Sequence, residues 1–208
     1  MAKLYSIFGI LFLALLFFLV YPSRVEATHI TCGSVVTTDV VLDSDIGPCP
    51  GNGLVVSGAS NIAVDLNEHS ITGPGFPFGP SGIHLINSTN VEIKNGIISN
   101  FSAGILLTGS SNNSIHNNEV FGNSNGIALL FSSNNNNIHD NFVHDNLLAQ
   151  SVPSCGGGII IEFNSNSNLV HDNRIDHNFC FGVVLAGAFG LGFPNQVQFN
   201  VISDNEIT

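Results

Sequence analysis

Two stretches of this 208-residue chain concentrate side chains that could move protons or hold a metal. They read His139-Asp140-Asn141-Phe142-Val143-His144-Asp145-Asn146 and His171-Asp172-Asn173-Arg174-Ile175-Asp176-His177-Asn178. Laid side by side, His139 falls beside His171, Asp140 beside Asp172, His144 beside Asp176 and Asp145 beside His177. His116 holds the same place one unit earlier. Imidazoles in a row with carboxylates nearby offer donors for Zn²⁺ or Cu²⁺. Paired carboxylate and imidazole groups also serve acid–base chemistry on a sugar. A solvated polar position explains the same column without any chemistry, since Asp65, Lys94 and Gln198 share it. The candidates are Asp140, Asp172, Asp176 and Arg174 for catalysis, and His116, His139, His171, His144 and His177 for a metal.

What positions these residues is a repeat. The chain restarts at Gly82-Ile-His-Leu, Gly104-Ile-Leu-Leu, Gly126-Ile-Ala-Leu, Gly158-Ile-Ile-Ile and Gly182-Val-Val-Leu, at spacings of 22, 22, 32 and 24 residues. A weaker copy, Gly53-Leu-Val-Val, stands 29 residues before the first. Periods in this range mean stacked supersecondary units that share one core. A second apolar residue follows each start: Val64, Ile93, Ile115, Ile138, Val170 and Val197. Five residues later comes a third, at Ile98, Val120, Val143, Ile175 and Ile202, and two residues late in the first copy, at Ile71. Between these anchors run Asn118, Asn141, Asn173 and Asn200, with Gly96 in the same column, and then Asn123, Asn146, Asn178 and Asn205. Gly and Asn tolerate φ > 0 and mark sharp corners. Each unit therefore reads as three short strands joined by three corners, rich in β-branched anchors and without a helical period. Stacked in parallel about 4.8 Å apart, the anchors become apolar ladders and the corner Asn residues become amide ladders. Alternation then turns Ile138 and Val170 inward and His139 and His171 outward.

The Gly-Ile-x-Leu starts, the N-x-x-I tracts (Asn90 to Ile93, Asn112 to Ile115, Asn135 to Ile138) and the corner Asn columns resemble the right-handed parallel β-helix repeat proteins of the pectin-lyase-like superfamily. The likeness runs from about residue 53 to 208, and residues 55–73 look like the first coil of secreted members. It implies an all-β fold: a single-stranded right-handed parallel β-helix of about six coils with an N-terminal cap. Pectate lyases of this superfamily use a basic residue, usually Arg, beside acidic Ca²⁺ ligands. Here only Arg174 and Lys94 are available, and no R-x-P-x-x-R stretch exists. The N-T-D, D-D, G-H-G and R-I-K set of polygalacturonase-like hydrolases is missing, as is the D-P-H signature of alginate epimerases. The chain is also similar to the periplasmic accessory β-helix proteins that help mature the copper site of nitrous oxide reductase. In that comparison the His ladder would be what meets copper.

Residues 1–27 have the form of a secretory signal. Lys3 supplies the positive end, residues 7–20 an apolar run, and Val25-Glu26-Ala27 a small-residue cleavage site. The alternative is an uncleaved membrane anchor. The expected organisation is a signal over 1–27, a cap over 28–52 and β-helix repeats over 53–208, with an extracellular or periplasmic location. Four cysteines permit three pairings. Cys32 and Cys49 flank a short apolar segment, and Cys155 and Cys180 fall at similar places in adjacent coils, so Cys32–Cys49 with Cys155–Cys180 is the expected set. Of 4 basic and 15 acidic residues, Lys3, Arg24 and Glu26 lie within 1–27, which leaves Lys94 and Arg174 against 14 carboxylates, a net −12 from residue 28 onward. Such a surface repels nucleic acid and disfavours an anionic polysaccharide unless a metal bridges it. Sequons at Asn87, Asn100 and Asn112 permit N-glycosylation.

Two insertions, 73–81 and about 147–157, should bulge from corners and rim a face. The first brings Phe76 and Phe78, which either stack on sugar or cover the core edge. The last coil has no evident polar cap, which leaves self-association open there. The sequence thus points to an exported scaffold that presents a surface to polysaccharide or a cell-surface glycan without turning it over. No cofactor is required, and Ca²⁺, Zn²⁺ or Cu²⁺ is a possible addition. A polysaccharide lyase, hydrolase or epimerase and a copper-handling accessory protein are the competing readings.

Overall fold

In a computed structural model that describes residues 28–75, 80–146, 157–187 and 197–208, the chain winds into stacked coils of three strands each, with no helix among the described residues. The expected signal (1–27), Phe76, Phe78 and most of the 147–157 insertion, including Cys155, lie outside the described residues. Like strands of successive coils pair in parallel to make three sheets of seven, seven and six strands. The first sheet holds the strands that open each repeat, from Leu54–Ser57 through Ser81–Ile86 and Ala103–Thr108 to Phe181–Ala186. The second runs from Ser60–Asp65 through Ser114–His116 to Val201–Ser203, and the third from Ser70–Thr72 through Glu119–Phe121 to Glu206–Ile207. Residues 28–52 carry strands of their own: Val36 pairs with Val56, Val40 with Val64, and Ile46 bridges Ile71. This segment therefore begins the stack in register, with Val36, Val40, Leu42 and Ile46 buried. Cys32 and Cys49 are joined with their Cα atoms 5.4 Å apart. Cys180 is also disulfide-bonded.

The core is built from columns. Ile83, Ile105, Ile127, Ile159 and Val183 stand in one register, and Leu85, Leu107, Leu129, Ile161 and Leu185 in the next. The second and third sheets add Ile93, Ile115, Ile138 and Val170, and Ile98, Val120, Val143 and Ile175. All are buried up to the last coil, where Leu185 and Ile207 become exposed because fewer neighbours lie above them. The glycine that opens each repeat is required by close approach. A β-carbon on Gly158 would sit 2.6 Å from the Gly182 carbonyl and 2.8 Å from Ile175.

The last coil corrects the expected register. Val170 pairs with Ile202, not Val197, Ile175 with Ile207, not Ile202, and His171 with Ser203, not Gln198. The amide columns shift with it. Asn173 bonds Asn205, while Asn200 receives Asn168 in a separate column of Asn113, Asn136, Asn168 and Asn200. A third column holds Asn123, Asn146 and Asn178. The physical origin is a five-residue period inside each coil, which makes a slip of one column invisible in the sequence.

The corner chemistry also differs from the expectation. The ladder Asn residues do not carry the positive φ; the residue before each one does, as at Asn117 (53°), Asp140 (52°), Asp172 (53°) and Asp204 (53°). Each corner is thus a pair. An exposed Asn or Asp turns left-handed, which short polar side chains tolerate, and a buried Asn stitches coil to coil. Asn141 shows the pattern: its Nδ2 donates to Asn173 Oδ1 (2.9 Å) and to the carbonyls of Ile115 (2.9 Å) and His139 (2.8 Å). Its Oδ1 accepts from the Asn118 backbone N–H (3.1 Å) and Nδ2 (3.2 Å). No buried side-chain polar atom among the described residues lacks a partner, as a close-packed interior demands.

Candidate functional site

The candidate chemistry gathers where the second sheet turns into the third. The second sheet ends outward in Lys94, His116, His139 and His171. The left-handed corner adds Asn95, Asn117, Asp140 and Asp172. The third sheet begins outward with Ile97, Glu119, Phe142 and Arg174. The fold therefore brings His116, His139 and His171 into one row, with ring centroids 4.9 and 5.2 Å apart and planes within 10° and 8° of parallel.

Parallel stacking decides what this row can do. The lone pairs of an imidazole lie in the ring plane, so three parallel planes about 5 Å apart do not converge on one ion with bonds of about 2.0–2.1 Å. The nitrogens are also engaged. His139 Nδ1 lies 2.7 Å from Asp140 and its Nε2 3.2 Å from the Ser114 hydroxyl. His171 Nδ1 lies 2.6 Å from Asp172, with Nε2 3.0 Å from Asn137. His116 meets Glu92 through Nε2 (2.9 Å) and the Asn117 amide through Nδ1 (3.0 Å). His144 sits apart on the third sheet, held between Asp145 (2.8 Å) and Glu119 (3.0 Å) and stacked on Phe142. His177 contacts Asp176 through Nδ1. Among the described residues no three His, Cys, Asp or Glu side chains converge as a ligand set.

The catalytic candidates are accounted for in the same way. Asp140 and Asp172 occupy left-handed corners, and the hydrogen bond from His139 holds the Asp140 carboxyl below its ordinary value. Asp176 is held below its ordinary value chiefly by the Thr208 hydroxyl, with Arg174 and His177 alongside. Arg174 lies 3.2 Å from Asp176 and 4.6 Å over the Phe142 ring. Lys94 lies 2.7 Å from Glu92, a contact that raises its pKa and keeps it protonated. Both tyrosines, Tyr5 and Tyr21, fall within 1–27.

Beside the row the structure opens a cleft of about 510 Å³ lined by Asn67, Glu68, Asn95, Gly96, Ile97, Asn117 and Glu119. Its signal in the sequence is the two-residue delay at Ile71. The extra residues are Asn67 and Glu68, consecutive left-handed positions at φ 50° and 67°. They rise from the corner as one wall, pinned by the Asn67 amide to the Leu42 carbonyl (3.1 Å) and by the Glu68 N–H to the Asn95 carbonyl (2.7 Å). Gly96 and Ile97 line the cleft between the walls, and Leu66 packs beneath Gly96, where any β-carbon would collide with it. Asn117 and Glu119 of the next coil form the opposite wall. The polar side chains of the lining are carboxylates and amides, without a cation.

The outward face of the first sheet went unread in the sequence. It carries Val55, His84, Leu106, Ala128, Ile160 and Val184 in register. Burial lowers the pKa of His84 and raises that of Glu162 at its edge.

The pattern described as "right handed beta helix region" matches residues 29–208. No curated protein matches the sequence. Among solved structures, an alginate lyase from Paenibacillus sp. str. FPU-7 superposes with a TM-score of 0.55 at 14% identity, covering 74% of this chain and 62% of that one. At that identity the likeness is one of fold, and the chain spans less than two thirds of the lyase's length. The family pattern covers nearly every coil described above, so the chain belongs to the right-handed β-helix family and fits the pectin-lyase-like superfamily.

Proposed function

We propose that this chain is an exported β-helix that binds neutral polysaccharide at the corner between its second and third sheets, without turning it over. The observation that carries the reading is the cation-free cleft of Asn67, Glu68, Asn95, Asn117 and Glu119. Its volume falls within the roughly 300–1,000 Å³ typical of small-ligand sites. Carboxylates and amides in fixed orientation hydrogen-bond sugar hydroxyls, whereas they repel a uronate. Export is supported by the apolar 7–20 run and by the Cys32–Cys49 disulfide, since disulfides persist in oxidising compartments.

Titration calorimetry of secreted protein against neutral and uronate oligosaccharides tests the proposal. Saturable binding of a neutral member, weakened about tenfold or more by a Glu68→Ala/Glu119→Ala variant, is the expected result. The fold shared with an alginate lyase supports a competing catalytic reading. Unsaturated uronate products seen by ultraviolet absorption, and abolished by Asp172→Asn, would establish that reading and overturn binding alone. The mature protein should begin at Thr28 by intact mass.

A further inference from the structure

His144 stands apart from the other histidines in what its two nitrogens face. Its strand, Phe142–His144, ends at the corner of Asp145, which turns left-handed at φ 48°. Alternation sends Phe142 and His144 outward, and register sets Glu119 and Phe121 beside them from the preceding coil. Nδ1 then lies 2.8 Å from Asp145 Oδ2, and Nε2 lies 3.0 Å from Glu119 Oε1. Among the described residues no other histidine has a carboxylate on both nitrogens. His116 and His139 have one each, with the Asn117 amide and the Ser114 hydroxyl on the other side. His171 has Asp172 and the Asn137 amide.

Counting hydrogens fixes the charge. An ionised carboxylate only accepts, and a neutral imidazole offers one N–H and one lone pair. Contacts to two carboxylates therefore need two hydrogens among the three groups. Imidazole is more basic than a carboxylate by about two pH units, so both hydrogens belong to the ring. The side chain is only 15% exposed, and burial alone would disfavour a charge. The two carboxylates offset that cost. So do the rings of Phe142 and Phe121, stacked with centroids 3.9 and 5.2 Å away and planes within 21° and 13° of parallel, since an aromatic face attracts a cation. From the next coil Asp176 stands in register with His144, itself engaged by Arg174, His177 and Thr208.

Glu119 is also a wall of the acidic cleft, across from Asn67 and Glu68. We propose that His144 is the positioning residue of that wall: as an imidazolium it latches Glu119, and loss of its proton releases it. When the ring gives one proton to solvent, a single N–H remains. It stays on Asp145, the shorter contact and the next residue in the chain. The bared Nε2 lone pair then faces a carboxylate oxygen, two acceptors with no hydrogen between them. Glu119 swings away, and the corner gains one negative charge. The latch needs no ligand. Its consequence, an affinity that falls as the pH rises, rests on the cleft binding sugar as proposed above.

Full-length secreted protein labelled with ¹⁵N and ¹³C tests the latch by nuclear magnetic resonance without ligand. The His144 signals are assigned by their loss in His144→Phe, which keeps an aromatic ring in the stack. At pH 7 both ring nitrogens of His144 should give the signals of protonated nitrogen. From pH 7 to 10 the Glu119 carboxyl carbon should shift with the same midpoint as the His144 ring, and that shift should vanish in His144→Phe. Glu119→Gln keeps the size of the wall and gives a second reading: there His144 should lose its proton at lower pH than in the natural chain. One bare nitrogen at pH 7, a Glu119 signal that does not follow the ring, or an unchanged His144 midpoint in Glu119→Gln overturns the proposal. Neutral oligosaccharides that fail to bind at any pH would refute the cleft as a sugar site and leave the spectra to decide the latch.

Discussion

Asn141 and Asp140 are neighbours in sequence with opposite roles, and exchanging either one tests the corner account directly. Asn141 is 2% exposed and takes part in five side-chain hydrogen bonds between three coils. Truncation to Ala leaves the Asn118 N–H without its acceptor and removes a donor from the Ile115 and His139 carbonyls. One orphaned buried donor plus two lost bonds amounts to about 3–5 kcal/mol. For a domain of this size each kcal/mol moves the melting temperature by about 2–4 °C, so Asn141→Ala should lower it by roughly 6–20 °C. Asp140→Gly removes only an exposed contact to His139 and supplies a residue at ease with φ 52°, so its shift should stay within about 3 °C. Thermal melts followed by circular dichroism at neutral pH read both. A fall below about 3 °C for Asn141→Ala, or an equal fall for Asp140→Gly, would refute the division of labour between the two residues.

Acid should destabilise the fold. Asp140, Glu92, Asp45 and Asp176 are held below their ordinary 3.8 or 4.5 by hydrogen bonds from His139, Lys94, the Ser70 backbone and Thr208 respectively. Their stabilisation is therefore present above those values and fades as the pH falls below them. His84, lowered from 6.5 by burial, adds a loss beginning as the pH falls through 6.5, whereas Glu162, raised from 4.5 by burial, acts the other way. Melts from pH 7 to pH 3 that stay level or rise would contradict this balance. The stacked imidazoles predict that Zn²⁺ and Cu²⁺ give the same calorimetric heat with the natural chain and with a His116→Ala/His139→Ala/His171→Ala variant. A stoichiometric heat lost in the variant would sink the parallel-ring argument. Cys32–Cys49 closes a loop of 17 residues' separation, a constraint of about 3 kcal/mol in chain-entropy terms. Cys32→Ser/Cys49→Ser should then melt roughly 6–12 °C lower; an unchanged melt would show that the parallel pairing of 28–52 suffices.

Glycine-led starts and β-branched anchors were enough to read the coils, because each must satisfy a packing demand that few residue types meet. Register failed only in the last coil. Asn168, Asn173 and Asn178 recur every five residues, so Asn200 matches one column as well as another until backbone pairing selects Asn168 for it. The His row was legible as a row, since register alone puts His139 beside His171. Ring orientation was not, and it is orientation that keeps the lone pairs from converging. The cleft was half visible: the late arrival of Ile71 marked two surplus residues, but only the fold sets Asn117 and Glu119 of the next coil opposite them.

Those surplus residues belong to a wider pattern. The ordinary corner of this solenoid uses one left-handed residue, most often Gly, Asn or Asp, with Ser167, His177 and Phe199 as exceptions. Among the described residues three corners use two in succession, at Asn67-Glu68, Phe131-Ser132 and Phe163-Asn164. A left-handed L-residue with a long or bulky side chain costs about 1–2 kcal/mol, and a coil can close without it, as the coil of Gly109 does. The stacking demands of the core do not explain this cost, because Glu68, Phe131 and Phe163 lie outside it. What each surplus residue does achieve is to lift a side chain off the flat side of the helix. At Glu68 this builds one wall of the acidic cleft, and at Phe131 it projects a ring stacked on Phe163 and 54% exposed. Asp140 and Asp172, by contrast, sit where the bare repeat already needs a left-handed short polar residue. The backbone thus separates acids that the fold requires from side chains that the fold alone does not, and the second group is where binding should be sought.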